Sequence, residues 1–462
     1  MRVLMWFRRD LRLADNPALN AALAAGAVIP VYVHAPDEEG AGAPGAASRW
    51  WLHHSLGELD GALRALGSRL VIRGGPTCAA LLELARSTGA EGVYWNRLYE
   101  PALVRRDREI KSALRQAGLA AESFNGSLLH EPWQIMNRSG APYRVFTPYW
   151  KACRAAGLDR EVLPAPGALP PVPDLVEYGS IKSLGLEPAI RWDEGLRARW
   201  TPGEAGAWAR LMQFLERVDD YAGGRDQMGR EATSSLSAHL HFGEIGPRQV
   251  LRALLDAGHD AGRSGPEAFV RELGWREFAH YLLFHFPETV DHPLDRRFEH
   301  LPWREAPEDL AAWQQGETGI PIVDAAMRQL WHTGWMHNRA RMIVASFLTK
   351  NLLVDWRLGA AWFHDTLVDA DLASNVAGWQ WVAGSGADAA PYFRVFNPVR
   401  QAEKFDPEGE YIRRWVPERA GMKAPAVFDP EIAAPHYPAA ITDLRQSRQR
   451  ALDAFARIRS MA

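Results

Sequence analysis

The sequence predicts an α/β N-terminal domain on a parallel, Rossmann-like sheet, followed by an all-α C-terminal domain. Three observations carry that expectation. Up to about residue 130, short β-rich runs alternate with amphipathic helical patterns. Such repetition means parallel strands joined by right-handed crossovers. Residues 164–173 hold Pro164, Pro166, Pro170, Pro171 and Pro173, a run that no helix tolerates and that reads as extended chain. From about residue 204 the apolar pattern is helical almost throughout. The expected boundaries are therefore 1–130 for the α/β domain, 131–203 for an interdomain linker and 204–462 for the helical domain.

In chain order, strands are expected over 3–7, 27–33, 70–73 and 92–95, which are rich in Val, Ile, Tyr and Trp. Helices are expected between them over 51–66, 78–87 and 102–117. In the last, Leu103, Ile110 and Leu114 fall roughly on one face. The first strand runs into Arg8, Arg9, Asp10 and Arg12 where a dinucleotide-binding sheet would carry G-x-G-x-x-G, so nothing places NAD there. In the second half, helices are expected over 204–218, 266–286, 319–333 and 337–356.

The chain has 462 residues, 53 Lys and Arg against 56 Asp and Glu, and a net charge of -3. That balance excludes a histone-like polycation but not a local basic groove. Cys78 and Cys153 are the only cysteines, which excludes a disulfide framework and a Cys-rich zinc site and fits a cytoplasmic setting. His239 and His241 flank Leu240, the wrong spacing for a helical metal pair, and no metal is expected. No apolar stretch reaches the ~20 residues needed to span a bilayer. The Arg8-Arg9 pair follows its apolar run instead of preceding it, so it is not read as a signal peptide. Tryptophan is the outlier, with 19 residues, and such an excess points to stacking or unusual packing.

Four stretches could carry chemistry. Thr233, Ser234, Ser235, Leu236 and Ser237 precede a helical segment; they read either as a capping cluster or as an anion site at a helix start. Glu272 and Trp275 share a helical face, which suits a stacked heterocycle with a hydrogen-bonding edge as well as an amphipathic core helix. In the 337–342 stretch, Asn338, Arg341 and Met342 share a face and Arg339 is expected to turn away; the group reads as a site wall or a solvated basic helix start. From Asp369 to Trp381 come Asp369, Asp371, Asn375, Trp379 and Trp381. With a helix starting near Asp371, the polar groups are too many for a plain buried helix. A buried Asp needs a partner, and Arg341 is the candidate.

Together these motifs resemble the photolyase/cryptochrome family over nearly the whole chain. The resemblance rests on Trp-Phe-Arg-Arg-Asp-Leu-Arg-Leu-Ala-Asp-Asn-Pro at 6–17, on Gly319 through Arg341, and on Asp371 through Trp381. It implies a non-covalent, U-shaped FAD in the helical domain, active as FADH⁻. Tyr221 and the 233–237 residues would hold its phosphates and ribose. Asp369, Ala370 and Asp371 would line the flavin and ribose, Arg341 would pair with Asp369, and Asn375 would face flavin N5. Photolyases typically carry Asn at that last position, where plant cryptochromes have Asp and animal ones Cys. Asn338 and Met342 stand where (6-4) photolyases carry two histidines.

The chain therefore resembles a class I/class III photolyase acting on cyclobutane pyrimidine dimers in UV-damaged DNA. The dimer would be flipped into a pocket between Trp275 and Trp381 and bonded by Glu272 and Asn338, with Met342 against the ring. Arg225, Arg339 and Arg394 would hold DNA phosphates. Trp303, Trp356 and Trp379 match the family's electron-carrying tryptophans. An antenna chromophore, methenyltetrahydrofolate or a deazaflavin, is expected near the N-terminal domain, with Trp50 and Trp51 as candidate neighbours. The glutamate that anchors folate in some class I members is absent near Leu103. A monomer with no membrane attachment is expected. The competing expectation is a blue-light photoreceptor that signals without repair, which the short chain after the helical domain disfavours.

Overall fold

The computed structural model describes residues 1–158, 161–173, 177–259, 262–389 and 393–459. Strands β1 (Arg2–Phe7), β2 (Ala27–His34), β3 (Val71–Gly74), β4 (Gly92–Asn96) and β5 (Ala120–Phe124) form one parallel sheet in the order β3-β2-β1-β4-β5. β1 is central, with Val3 opposite Val28 on one side and Gly92 on the other. Its residues from Val3 to Phe7 are buried, as a strand covered on both faces requires. The crossovers run through α1 (Pro17–Ala25), α2 (Ala46–Ala65), α3 (Thr77–Thr88) and α4 (Pro101–Gln116). Two elements escaped the sequence reading. α1 is started by the Asn16 side chain accepting from Leu19 N at 3.1 Å, with Pro17 in its first turn, a signal that was present in the residues. β5 is an edge strand with too weak an apolar pattern to stand out.

The remaining helices are α5 (Phe146–Ala156), α6 (Glu194–Arg199), α7 (Glu204–Leu215), α8 (Tyr221–Gly224), α9 (Ser237–His241), α10 (Pro247–Asp256) and α11 (Ser264–His285). They continue with α12 (Pro307–Gln315), α13 (Pro321–Thr333), α14 (Asn338–Ser346), α15 (Trp356–Thr366), α16 (Leu372–Ala383), α17 (Pro398–Phe405), α18 (Glu410–Trp415) and α19 (Leu444–Arg459). Among the described residues, no helix is long and apolar enough to cross a membrane.

The single helix expected over 337–356 is broken. α14 ends in a π-helical turn, Phe347–Asn351, and Leu353 takes a positive φ of 56°. The chain then restarts at α15, where Asp355 accepts from Arg357 N at 2.9 Å. The apolar period continues across this break, which hid it. The 131–203 stretch is likewise no free tether. α5 buries Phe146, Tyr149, Trp150 and Cys153 in the same core as α7, α10 and α11.

The two halves are bolted together by buried polar groups. Trp50 donates to Asp193 and Trp51 to Glu244, each at 2.9 Å. Both indoles are fully buried at this junction. Arg12 donates to Gly243 O at 2.8 Å, and Glu204 accepts from Leu13 N at 2.8 Å. Such groups must be satisfied when buried, and here each half satisfies the other.

Candidate functional site

α11, α14 and α16 wall a cavity of about 660 Å³, within the range of small-molecule sites. α11 is helical throughout 264–285, so Glu272, Trp275, Ala279 and Leu283 recur at three- and four-residue spacing on its cavity face. α14 contributes Asn338, Met342 and also Arg339, which faces the cavity and does not turn away. α16 begins at the Asp371 cap, whose side chain accepts from Ser374 N at 2.7 Å, and supplies Ser374, Val376, Ala377 and Trp381. Trp381 is held by its indole N–H on Asp388 O at 3.1 Å. Trp275 has one face stacked on Phe146 of α5, with ring centroids 3.7 Å apart and planes within 9°.

The charges around this cavity are paired. Arg225 bonds Glu272, and Arg339 meets Asp226 at 2.9 Å. Arg341 donates to both oxygens of Asp369, at 3.0 and 2.8 Å. Asp371 has two partners that sequence reasoning missed, His280 at 3.3 Å and His241 at 3.7 Å. His280 Nδ1 faces Arg276 O at 3.1 Å while its Nε2 faces the Asp371 carboxylate. Two acceptors, one at each ring nitrogen, favour the doubly protonated imidazolium. Burial opposes that cation most, but the Asp371 charge and hydrogen bond, with the Glu100 charge, together outweigh it and raise the imidazole above its ordinary value. Burial likewise opposes the Asp371 charge, and His280 and His241 overcome it, holding the carboxyl well below its usual range. Burial drives His337 the other way, down to about 4. It is neutral, and its Nδ1 accepts from Arg339 N at 3.1 Å to start α14.

A model described as DNA photolyase matches residues 3–171, and one described as the FAD binding domain of DNA photolyase matches residues 269–457. The chain is 46% identical over 477 residues to a deoxyribodipyrimidine photo-lyase of Agrobacterium fabrum, covering 99% of this chain and 98% of that one. The chain belongs to the DNA photolyase family. It is also 42% identical to cryptochrome-2 of Arabidopsis thaliana, over 93% of this chain and 72% of the relative. The crystal structure of a bacterial class III photolyase from Agrobacterium tumefaciens superposes with a TM-score of 0.93 at 44% identity, covering 99% and 98% of the two chains.

The second of those models runs from within α11 into α19, so the photolyase FAD-binding domain contains the cavity faces of all three walls and most of the helical core. The residues present fit such a group. Apolar side chains such as Ala279, Leu283 and Val376 offer a slot for a flat ring, and Ser237 and Ser374 offer hydroxyls for its polar parts. α9 starts with no side-chain cap on its amides. Ser234 Oγ accepts from Leu236 N at 3.4 Å just before the helix start. Ser235 takes a φ of 51° there, and Ser237 reaches the cavity.

Not every residue singled out by sequence gathers at this photolyase cavity. Tyr221 is buried beside it, under the Arg225 guanidinium at 5.4 Å. Asn375 donates to Ala360 O at 2.9 Å on the neighbouring helix. Arg394 lies with Trp381 in a separate small pocket. Ala370 lines a different cavity, between sheet and helices, with Trp6, Arg9, Tyr32, Leu103 and His241. Trp379 and Trp356 are buried and Trp303 is half-buried against the same core. Trp379 touches Phe363 at 5.0 Å and Trp313 at 6.1 Å. Phe146, Asp226, His241, His280 and Trp313 were missed, because each acquires its role from a partner distant in the chain.

Proposed function

We propose that this chain splits cyclobutane pyrimidine dimers in DNA with light. The observation that carries the reading is the pair of indoles, Trp275 and Trp381, lining one cavity with Glu272, Asn338 and Met342. Flat apolar walls with a carboxylate and an amide between them match a pair of fused pyrimidines, whose faces are apolar and whose edges carry N–H and C=O groups. A dimer is already poorly stacked in the duplex, so drawing it out costs only a few kcal/mol.

Trp275 and Trp381 take up the ring faces and exclude water. Glu272 accepts from a ring N–H, Asn338 bonds an edge, and Met342 packs against the ring. Arg225, Arg339 and Arg394 hold phosphates and set register. FAD, in its FADH⁻ form and with light, would supply one-electron reducing chemistry toward the dimer. Tyr221, Thr233, Ser234, Ser235, Leu236 and Ser237 would hold its phosphates and ribose, and the Arg341–Asp369 pair and Asp371 would line the flavin and ribose. Asn375 presents an amide that offers no acidic proton. Trp303, Trp356 and Trp379 lead electrons inward for reduction of the resting cofactor. An antenna chromophore would be held by the N-terminal domain.

Purified protein incubated with a thymine-dimer oligonucleotide should remove the dimer in blue light and not in darkness. No light-dependent loss would sink the reading, and loss of repair-independent light responses in a deletion strain would favour a photoreceptor. Trp356→Phe should block photoreduction of oxidised FAD and leave repair by pre-reduced enzyme largely intact; absorbance at the flavin bands reads the first and dimer loss the second.

A further inference from the structure

We propose that the turn at Arg225 and Asp226 is a partner-exchange clamp that links phosphate binding to the reading of damage, an inference that rests on the photolyase reading above. Two neighbouring residues of opposite charge each hold one wall of the cavity. Arg225 is bonded to Glu272 of α11, and Asp226 is bonded to Arg339 of α14.

In this state the groups assigned to DNA are partly committed to each other. Glu272 spends Oε1 on Arg225 and so has less to offer a pyrimidine edge. Arg339 cannot grip a phosphate fully while Asp226 holds it. Neither pair is secure, however. Side-chain exposures are 22% and 30% for Arg225 and Glu272, and 19% and 36% for Arg339 and Asp226. Pairs this exposed are weak, while a phosphate offers a guanidinium a charged and bidentate alternative. A backbone phosphate at Arg225 therefore displaces Glu272, and the freed carboxylate turns to the pyrimidine edge. On undamaged DNA no base edge enters the cavity, so the freed Glu272 gains no new partner and the exchange yields less. The clamp makes Glu272 and Asp226 selective elements: both oppose loose phosphate binding, and only Glu272 is repaid by a dimer.

The test measures dark binding of the intact, FAD-loaded protein to a duplex carrying a thymine dimer and to the same duplex undamaged. Glu272→Gln should bind undamaged DNA about two- to fivefold more tightly, the worth of one part-exposed ion pair, and dimer DNA more weakly. That gain on undamaged DNA should vanish when Arg225→Gln is present as well, because it acts through Arg225. Asp226→Asn should give a similar gain that vanishes with Arg339→Gln. Simple removal of negative charge near DNA would leave both gains in place, and that result overturns the clamp. So does a Glu272→Gln variant that weakens both duplexes alike while its melting temperature and flavin spectrum match the parent. Equal binding of the two duplexes by the unmodified protein would instead count against the damage reading, while the gains on undamaged DNA still decide the clamp.

Discussion

At the scale of single residues, the Asp371 ion pair makes a pH-dependent demand on the fold. His280 titrates above its ordinary value and Asp371 well below its own. The His280 contribution is full below the ordinary imidazole pKa and fades as pH rises through the raised folded value. The Asp371 contribution is full above the ordinary carboxylate pKa and fades as pH falls through the lowered one. The pair therefore stabilises most between about pH 4 and 6.5, the two ordinary values. His280→Gln should cost up to about 3 kcal/mol in that window, with His241 and Ser374 N still on Asp371. Denaturant unfolding at several pH values should show the gap between parent and variant closing as pH rises above neutrality.

Trp275 makes a second demand at this scale. Trp275→Ala should weaken binding of dimer-containing DNA by about 1–3 kcal/mol, the worth of one stacked base. Phe146→Ala should do the same in smaller measure, since Phe146 backs the other face of the indole; binding titrations of both variants check the order. The Arg341–Asp369 pair was legible in the sequence because a buried carboxylate demands a cation. His280 and Phe146 were not, because nothing local marks a residue whose partner arrives from another part of the fold.

At the scale of elements, α15 and α16 meet where Gly359 has no side chain. A Cβ there would lie 2.1 Å from the Trp379 ring and 2.6 Å from Leu348, so the glycine sets the approach of the helix that begins at Trp356 to the one that carries Trp379. Gly359→Ala should cost about 1–3 kcal/mol by overpacking and slow photoreduction by displacing Trp379; thermal melting and flavin bleaching under light read the two effects. α16 itself was legible, since Asp371 is a good cap and Asn375 and Trp379 follow at helical spacing. The break before α15 was not. It depends on the positive φ of Leu353 and the Asp355 cap, and an unbroken apolar period masks both.

At the scale of the whole molecule, Glu244 is a keystone. It is fully buried, accepts from Trp51 Nε1 and Gly203 N at 2.9 and 2.7 Å, and pairs with His239. It thereby joins the helix over the sheet to the start of the helical half. Glu244→Ala should cost about 3 kcal/mol by orphaning these groups and should split one unfolding transition into two, visible by calorimetry. The two-part architecture was legible from the change of hydrophobic period. The junction was not, because its polar contacts join residues that the sequence keeps far apart.

The position of α5 has one more consequence. It precedes the proline-rich 164–173 run in the chain, yet its Phe146 and Trp150 sit in the core of the helical half. Several residues of that run are exposed. Cut there, the protein would become a heterodimer in which one subunit lends a helix to the other, as in an exchanged-element dimer. The wall behind Trp275 would then be a subunit interface, and reassembly of two separately expressed pieces would be a precondition for recognising damage at all.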